Sequence, residues 1–226
     1  MSSWPAISAT RSADRMVTAV VFDVMDTLLH DPYREAHEVA TGLTFEAFEA
    51  VRPEGVYHAL ERSEIDEPAY WRALLDAGVS VDVHRFHAIR RGGYEWLPGM
   101  RELLHETAAR HRVILASNYP AAWIADVRFR FFRKPHVELC ASCDLGVRKP
   151  SPDFFHRMEH RFDLEPATTM LVDDSEANIG GAVAAGWQGI LFRDARTTRE
   201  ALGALGILDE VADREPSRAT PAPQVD

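Results

Sequence analysis

Val20-Val21-Phe22-Asp23-Val24-Met25-Asp26-Thr27 sets an acidic residue at the end of a short, largely β-branched apolar run. Residues 16–22 read as a buried strand, since such runs suit a sheet covered on both faces. A carboxylate placed directly after a buried strand is costly unless it is paired, hydrogen-bonded or bound to a metal. Two later stretches have the same build: Val113-Ile114-Leu115-Ala116 leads into Ser117-Asn118, and Met170-Leu171-Val172 into Asp173-Asp174-Ser175. A basic turn, Gly146-Val147-Arg148-Lys149-Pro150, lies between them.

Working outward, residues 137–140 and 189–192 are two further strand candidates, and helical patterns fill the gaps. Residues 100–111 set Leu103, Leu104, Thr107 and Ala108 on one face. Residues 152–162 follow Ser151 as N-cap with proline at the first helical position. Residues 175–185 are rich in small side chains, which lets a helix pack closely on a sheet. Strands alternating with helices predict an α/β fold, a doubly wound parallel sheet. Such sheets bind ligands beyond the carboxyl ends of their strands, where the polar residues after each run fall.

Residues 30–96 break the alternation. Their pattern is helical, with Asp66-Glu67-Pro68 starting one helix, Tyr70, Trp71, Leu74 and Leu75 at helical spacing, and Gly78 stopping it. Leu97-Pro98-Gly99 reads as the return to the core. The expected organisation is a catalytic core over 16–29 and 97–208, a helical cap over 30–96, and disordered termini at 1–15 and 209–226. The first fifteen residues lack the apolar centre of a signal peptide, so a frayed leader on a cytoplasmic protein is expected.

A formal net charge of −10 argues against nucleic acid and anionic membranes as partners. It leaves anionic small molecules open, because a bound metal inverts the local field. No apolar run is long enough to span a bilayer. The two cysteines, Cys140 and Cys143, supply half of a tetrahedral metal site and do not open a helix as a redox pair would; they read as small residues at a strand end.

Taken together, a carboxylate, a hydroxyl, a lysine and an acidic pair, in this order, are the parts needed to attack a phosphoryl group and neutralise its charge. The four stretches resemble the signature motifs of the haloacid dehalogenase (HAD)-like hydrolase superfamily. The resemblance runs from about Val17 to Asp194. It implies a Rossmann-like core with Asp23 as the nucleophile that forms an aspartyl-phosphate. Lys149 is implied as its charge partner, and Ser117 and Asn118 as the groups orienting the phosphoryl oxygens. Mg²⁺ is implied as cofactor, held by Asp23, the Met25 carbonyl and Asp174, with Asp173 as a further ligand or neighbour. The implied substrate is a small phosphorylated metabolite; the oligomeric state is not implied.

Met25 departs from the usual pattern. Most phosphatases of the family carry a second Asp there, which protonates the leaving oxygen and then activates water; a thioether does neither. Phosphatases resembling α-glucose-1-phosphate phosphatase also lack that Asp, and Asp144–Pro150, Asp173–Ile179 and Tyr70-Trp71 are similar to theirs. Dehalogenases and C–P-cleaving enzymes lack it too, but dehalogenases usually replace the acidic pair, so Asp173-Asp174 favours phosphate. A silent phosphate- and metal-binding protein is the remaining alternative. With no acid at position 25, rate should depend steeply on leaving-group acidity, unless Asp26 or a cap histidine serves. His37, His58, Arg62, His84, His87 and Arg90 fall in the cap segment, where exposure or packing is the ordinary role. Trp71 is expected to be cap core.

Overall fold

The computed structural model describes residues 16–132 and 137–209. The expected leader, and the expected disordered tail beyond Asp209, lie outside the described residues. Five parallel strands form one sheet: β1 (Ala19–Asp23), β2 (Arg112–Ser117), β3 (Glu138–Ala141), β4 (Thr169–Asp173) and β5 (Gln188–Leu191), in the order β3-β2-β1-β4-β5. Alternate residues feed two apolar layers. Val20, Phe22, Val113, Leu115, Met170 and Val172 pack on one face, and Ala19, Val21, Ile114, Ala116 and Leu171 on the other. Burial on both faces explains the unbroken apolar runs. The strand order reverses direction at β1, so the crevice beside it is the expected ligand position.

Five helices lie between β1 and the rest of the core: α1 (Tyr33–Thr41), α2 (Phe45–Val51), α3 (Val56–Glu61), α4 (Glu67–Asp76) and α5 (Val83–Gly93). Asp66 caps α4 through the Ala69 N–H, and Gly78 ends that segment with φ +83°. The entering and leaving segments pair with each other, since the His30 N–H donates to Glu95 O and the Leu97 N–H to Leu28 O.

The core continues with α6 (Met100–Ala108), α7 (Ala121–Phe131), α8 (Ser142–Leu145), α9 (Pro152–Phe162), α10 (Glu176–Ala184) and α11 (Ala195–Ala204). Helix α6 stops three residues before the predicted His111, as His111 turns aside to Ile207 O at 2.8 Å. The small residues of α10 have a specific use. A Cβ on Gly181 would lie 2.3 Å from Pro150 O, so glycine there lets α10 press against the turn carrying Lys149.

The helical insertion docks on the segments leaving β2 and β3. Trp123 of α7 is fully buried against Tyr70, Trp71 and Phe86, and its Nε1 donates to Glu67 at 2.9 Å. Buried Arg90 bonds Asp126 at 2.6 Å. Glu61 binds Arg148 at 2.7 Å, and its carbonyl accepts from Ser142 Oγ. Burial raises the Glu61 carboxyl to about 7, against the pull of Arg148. Among the described residues no helix is long and apolar enough to cross a membrane.

Candidate active site

Parallel register brings the strand-end residues together. Asp23 sits opposite Ala116, one residue before Ser117 on β2, while Val172, just before Asp173, sits opposite Phe22 on β4. Asp23 and Asp173 therefore end neighbouring strands at the switch point. Lys149 reaches between them from the turn after α8. Its Nζ donates to Asp23 Oδ1 at 2.6 Å, Asp173 Oδ2 at 2.6 Å and Ala116 O at 3.1 Å. Three ammonium donors meet three acceptors, which is what a fully buried lysine requires.

The electrostatics follow. Burial alone would depress Lys149, but Asp173 and Asp23 hold it above its ordinary value. Burial pushes Asp23 upward, with the Lys149 charge opposing and Asp173 and Asp174 adding. Asp174, exposed as a residue but with its carboxyl partly shielded from water, rises to about 6 through that shielding and its neighbours Asp173 and Asp26. One lysine cannot neutralise three carboxylates whose oxygens lie within 4.8 Å of one another.

The three acids are not equivalent. Asp173 is saturated: Oδ1 accepts from the Ser175 N–H and Asn178 Nδ2, and Oδ2 from Lys149 and Asn178. Among the described residues Asp23 Oδ2 accepts no hydrogen bond, and Asp174 is exposed, its backbone N–H tied to buried Thr27. Open oxygens on Asp23 and Asp174 fit a hard, oxygen-seeking cation. Thr27 and Asn178 both fall within quoted stretches without an assigned role. Thr27 meets Asp174 only across the β1–β4 pair, which a linear reading does not contain, while Asn178 reaches back five residues from α10 to Asp173.

Ser117 is buried, and among the described residues its Oγ has no hydrogen-bond partner. Asn118 does not hold its side chain free for a phosphoryl group. Its Oδ1 accepts from the Lys149 N–H and its Nδ2 donates to Lys149 O, both at 2.9 Å. That two-point clamp fixes the backbone from which the lysine extends. Met25 is 8% exposed and packs with Leu28 and Leu29 in the apolar layer, as a thioether should. Asp26 next to it is exposed, adopts φ +56°, and caps the turn through the Asp31 N–H.

The insertion's candidate cations are mostly engaged. His37 is buried and held neutral, its ring lowered to about 4 by burial. His87 meets Glu67 at 3.0 Å, and Arg62 meets Glu64 at 2.7 Å. Cys140 and Cys143 are free thiols pushed up to about 12 and 11 by burial, which removes thiolate chemistry at neutral pH.

A family model described as haloacid dehalogenase-like hydrolase matches residues 17–186. The chain belongs to the HAD-like hydrolase family. It is 30% identical over 198 residues to flavin mononucleotide hydrolase 1 of Arabidopsis thaliana, a chloroplast protein by name; the match covers 87% of this chain and 80% of the relative. A HAD-family enzyme of Bacteroides thetaiotaomicron, solved with magnesium and inorganic phosphate, shares the fold at TM-score 0.64 and 16% identity, over 79% of this chain and 95% of that one. L-2-haloacid dehalogenase of Xanthobacter autotrophicus aligns at TM-score 0.57 and 17% identity, over 84% and 83%. The α/β HAD-like fold expected from the motifs is thereby shown, and the chain is a HAD-like hydrolase enzyme.

Proposed function

We propose that this hydrolase is a Mg²⁺-dependent phosphatase of small phosphomonoesters working through an aspartyl-phosphate. The observation that carries the reading is Lys149 bridging Asp23 and Asp173 beside Asp174, at the strand ends flanking the switch point. Asp23 attacks phosphorus through its free oxygen, which splits one displacement into two. Lys149 aims Asp23, opposes the rise that burial imposes on its carboxyl, and offers a fixed positive charge to the developing anion. Ser117 Oγ, buried without a partner, donates to a phosphoryl oxygen. Asn118 acts through the Lys149 backbone. Asp23, the Met25 carbonyl and Asp174 would hold Mg²⁺, with Asp173 supporting from the next layer; the bound ion would offset the charge of the phosphoryl oxygens. The insertion over residues 30–96 serves as the cap that shields the site from water.

A phosphate-release screen over phosphorylated metabolites, with and without Mg²⁺, tests this directly. Flavin mononucleotide belongs in it because of the similarity to the plant hydrolase. Release that requires both Mg²⁺ and Asp23 is expected. Absence of release across sugar, nucleotide and acyl phosphates would favour the silent binder.

Mg²⁺ should also raise the melting temperature, since a ligand that binds only the folded state stabilises it. Asp174→Ala should abolish that rise and the Mg²⁺-dependent activity while the protein stays folded. Its own melting point without metal should equal or exceed that of the wild type at pH 8. The sign follows from the raised carboxyl: an ionised Asp174 costs stability above about pH 6, and the cost fades as pH falls through that value. Equal Mg²⁺-induced shifts in both proteins would remove Asp174 from the metal site.

The acidic pair also separates this reading from dehalogenation, which needs no metal. Short 2-haloacids should release no halide. Robust metal-free halide release would replace the phosphatase reading.

A further inference from the structure

Met25 leaves the proposed reaction without a proton donor two residues past the nucleophile, and the structure offers another carboxyl at the same edge of the sheet. Asp31 stands where the turn after β1 enters α1. Its Oδ1 accepts from Tyr119 Oη at 2.9 Å and from the Tyr33 N–H at 3.1 Å. Among the described residues Oδ2 accepts no hydrogen bond, and Asp31 is only partly buried. Tyr119 lies two residues past Ser117 on the segment leaving β2. Asp31 is thus tied to the two strand ends that carry Asp23 and Ser117.

The bonds behind Tyr119 fix which oxygen carries a proton. Buried Arg90 donates from Nη1 to Tyr94 Oη at 2.7 Å, and Tyr94 Oη lies 3.0 Å from Tyr119 Oη. Arginine only donates, so the single proton of Tyr94 points to Tyr119, and that of Tyr119 points to Asp31. Every donor in the line converges on Oδ1. When Asp31 is protonated, its proton must sit on Oδ2, the oxygen with no protein partner.

We propose that Asp31 is the general acid and base of this enzyme. The proposal rests on the phosphatase reading above. In the first step Asp23 bonds to phosphorus, the bond to the leaving oxygen breaks, and Asp31 Oδ2 gives its proton to that oxygen. In the second, water attacks the aspartyl-phosphate, Asp31 takes its proton, inorganic phosphate departs and Asp23 returns as a carboxylate. Asp31 ends the cycle protonated, as it began.

Burial lifts the Asp31 carboxyl to about 7; the Tyr119 hydrogen bond, the Tyr33 N–H and His30 oppose the rise, and Asp26 adds to it. The other ionisable groups facing it, Tyr57 and Tyr94, are themselves raised by burial and stay neutral. A donor and acceptor near neutrality suits both steps. The rival donors are placed less well. Asp26 is exposed and stands outside the line of hydroxyls from Arg90, His37 is sealed in the insertion, and His87 is paired with Glu67.

The test compares wild type and Asp31→Asn on phosphomonoesters from alkyl phosphates to p-nitrophenyl phosphate. Wild type should show a shallow dependence on leaving-group acidity. The variant should lose about 10²–10⁴-fold in kcat/KM on alkyl phosphates and far less on p-nitrophenyl phosphate. With its base gone, it should also release a burst of nitrophenol equal to the enzyme present, then turn over slowly. Tyr119→Phe keeps the carboxyl and removes a bond that lowers its pKa. The alkaline limb of kcat/KM for alkyl phosphates should then move to higher pH. Wild-type rates on alkyl phosphates in Asp31→Asn, a uniform loss across the series, or an unmoved limb in Tyr119→Phe would each overturn the assignment of Asp31. Those results leave the phosphatase reading intact provided Asp23→Asn is inactive. Failure of wild type on every phosphomonoester removes both.

Discussion

Asp23→Asn will lower turnover of every phosphomonoester by at least about 10³-fold, the scale on which loss of a nucleophile is felt. Asparagine keeps the shape of the side chain, and its Oδ1 can still accept from Lys149, so the strand end should not rearrange. What disappears is the anionic oxygen proposed to attack phosphorus. Stability should move the other way. Burial, Asp173 and Asp174 raise the Asp23 carboxyl above its unfolded value despite Lys149, so its ionised form costs folding free energy at neutral pH. The amide carries no such cost. In metal-free buffer the variant should melt at or above the wild-type temperature at pH 8, and the gain should shrink toward pH 4. Phosphate release and thermal melts on the same preparation check both halves. Turnover above a tenth of the wild-type rate, in material free of wild-type enzyme, would remove the covalent mechanism.

Lys149→Met should have the largest effect on stability. The lysine is fully buried with its three donors used, and removing it strands Asp23 and Asp173 at 2.6 Å from a vanished partner. Breaking a buried charge pair from one side costs about 3–5 kcal/mol. For a domain of this size that is roughly 6–20 °C in melting temperature. The pH dependence has a definite sign. Without Lys149 the Asp23 carboxyl loses the charge that opposes its rise by burial, so the penalty is present at pH 8 and fades as pH falls. Adding Asp173→Asn to the variant should recover part of the loss, because one stranded charge is removed. A melting temperature within 2 °C of wild type at pH 8, by the scaling used above, would mean that water or rearrangement satisfies both acids. The bridging role would then fail.

These expectations rest on residues of different legibility. The strands were readable because each is buried on both faces, so its sequence is continuously apolar and the polar residue after it marks its end. All five fall within a few residues of the predicted runs, though β1 begins at Ala19 rather than Met16. The insertion showed itself by a change of period, from apolar runs to helical spacing bounded by Asp66 and Gly78. The resemblance implies Lys149 as the charge partner of Asp23, but not its bond to Asp173. That it lies between two acids from strands 126 and 24 residues away needed the parallel register.

The sequence by itself determined the alternation that makes a parallel sheet, the ends of its strands, and the set of ionisable groups gathered at those ends. These are local properties: period, β-branching, and the cost of an acid beside an apolar run. The tertiary structure decided what each polar group does, because hydrogen-bond partners are fixed by packing rather than by spacing. Asn118 is expected at the phosphoryl group from the resemblance, and only the folded chain shows its side chain clamping the Lys149 backbone. Asp173 and Asp174 are adjacent and chemically identical, yet one is saturated by Asn178, Ser175 and Lys149 while the other is open. Asp31 carried no signal at all. Only the line of hydroxyls from Arg90 through Tyr94 and Tyr119, assembled from the insertion and the segment after β2, singles out its free oxygen.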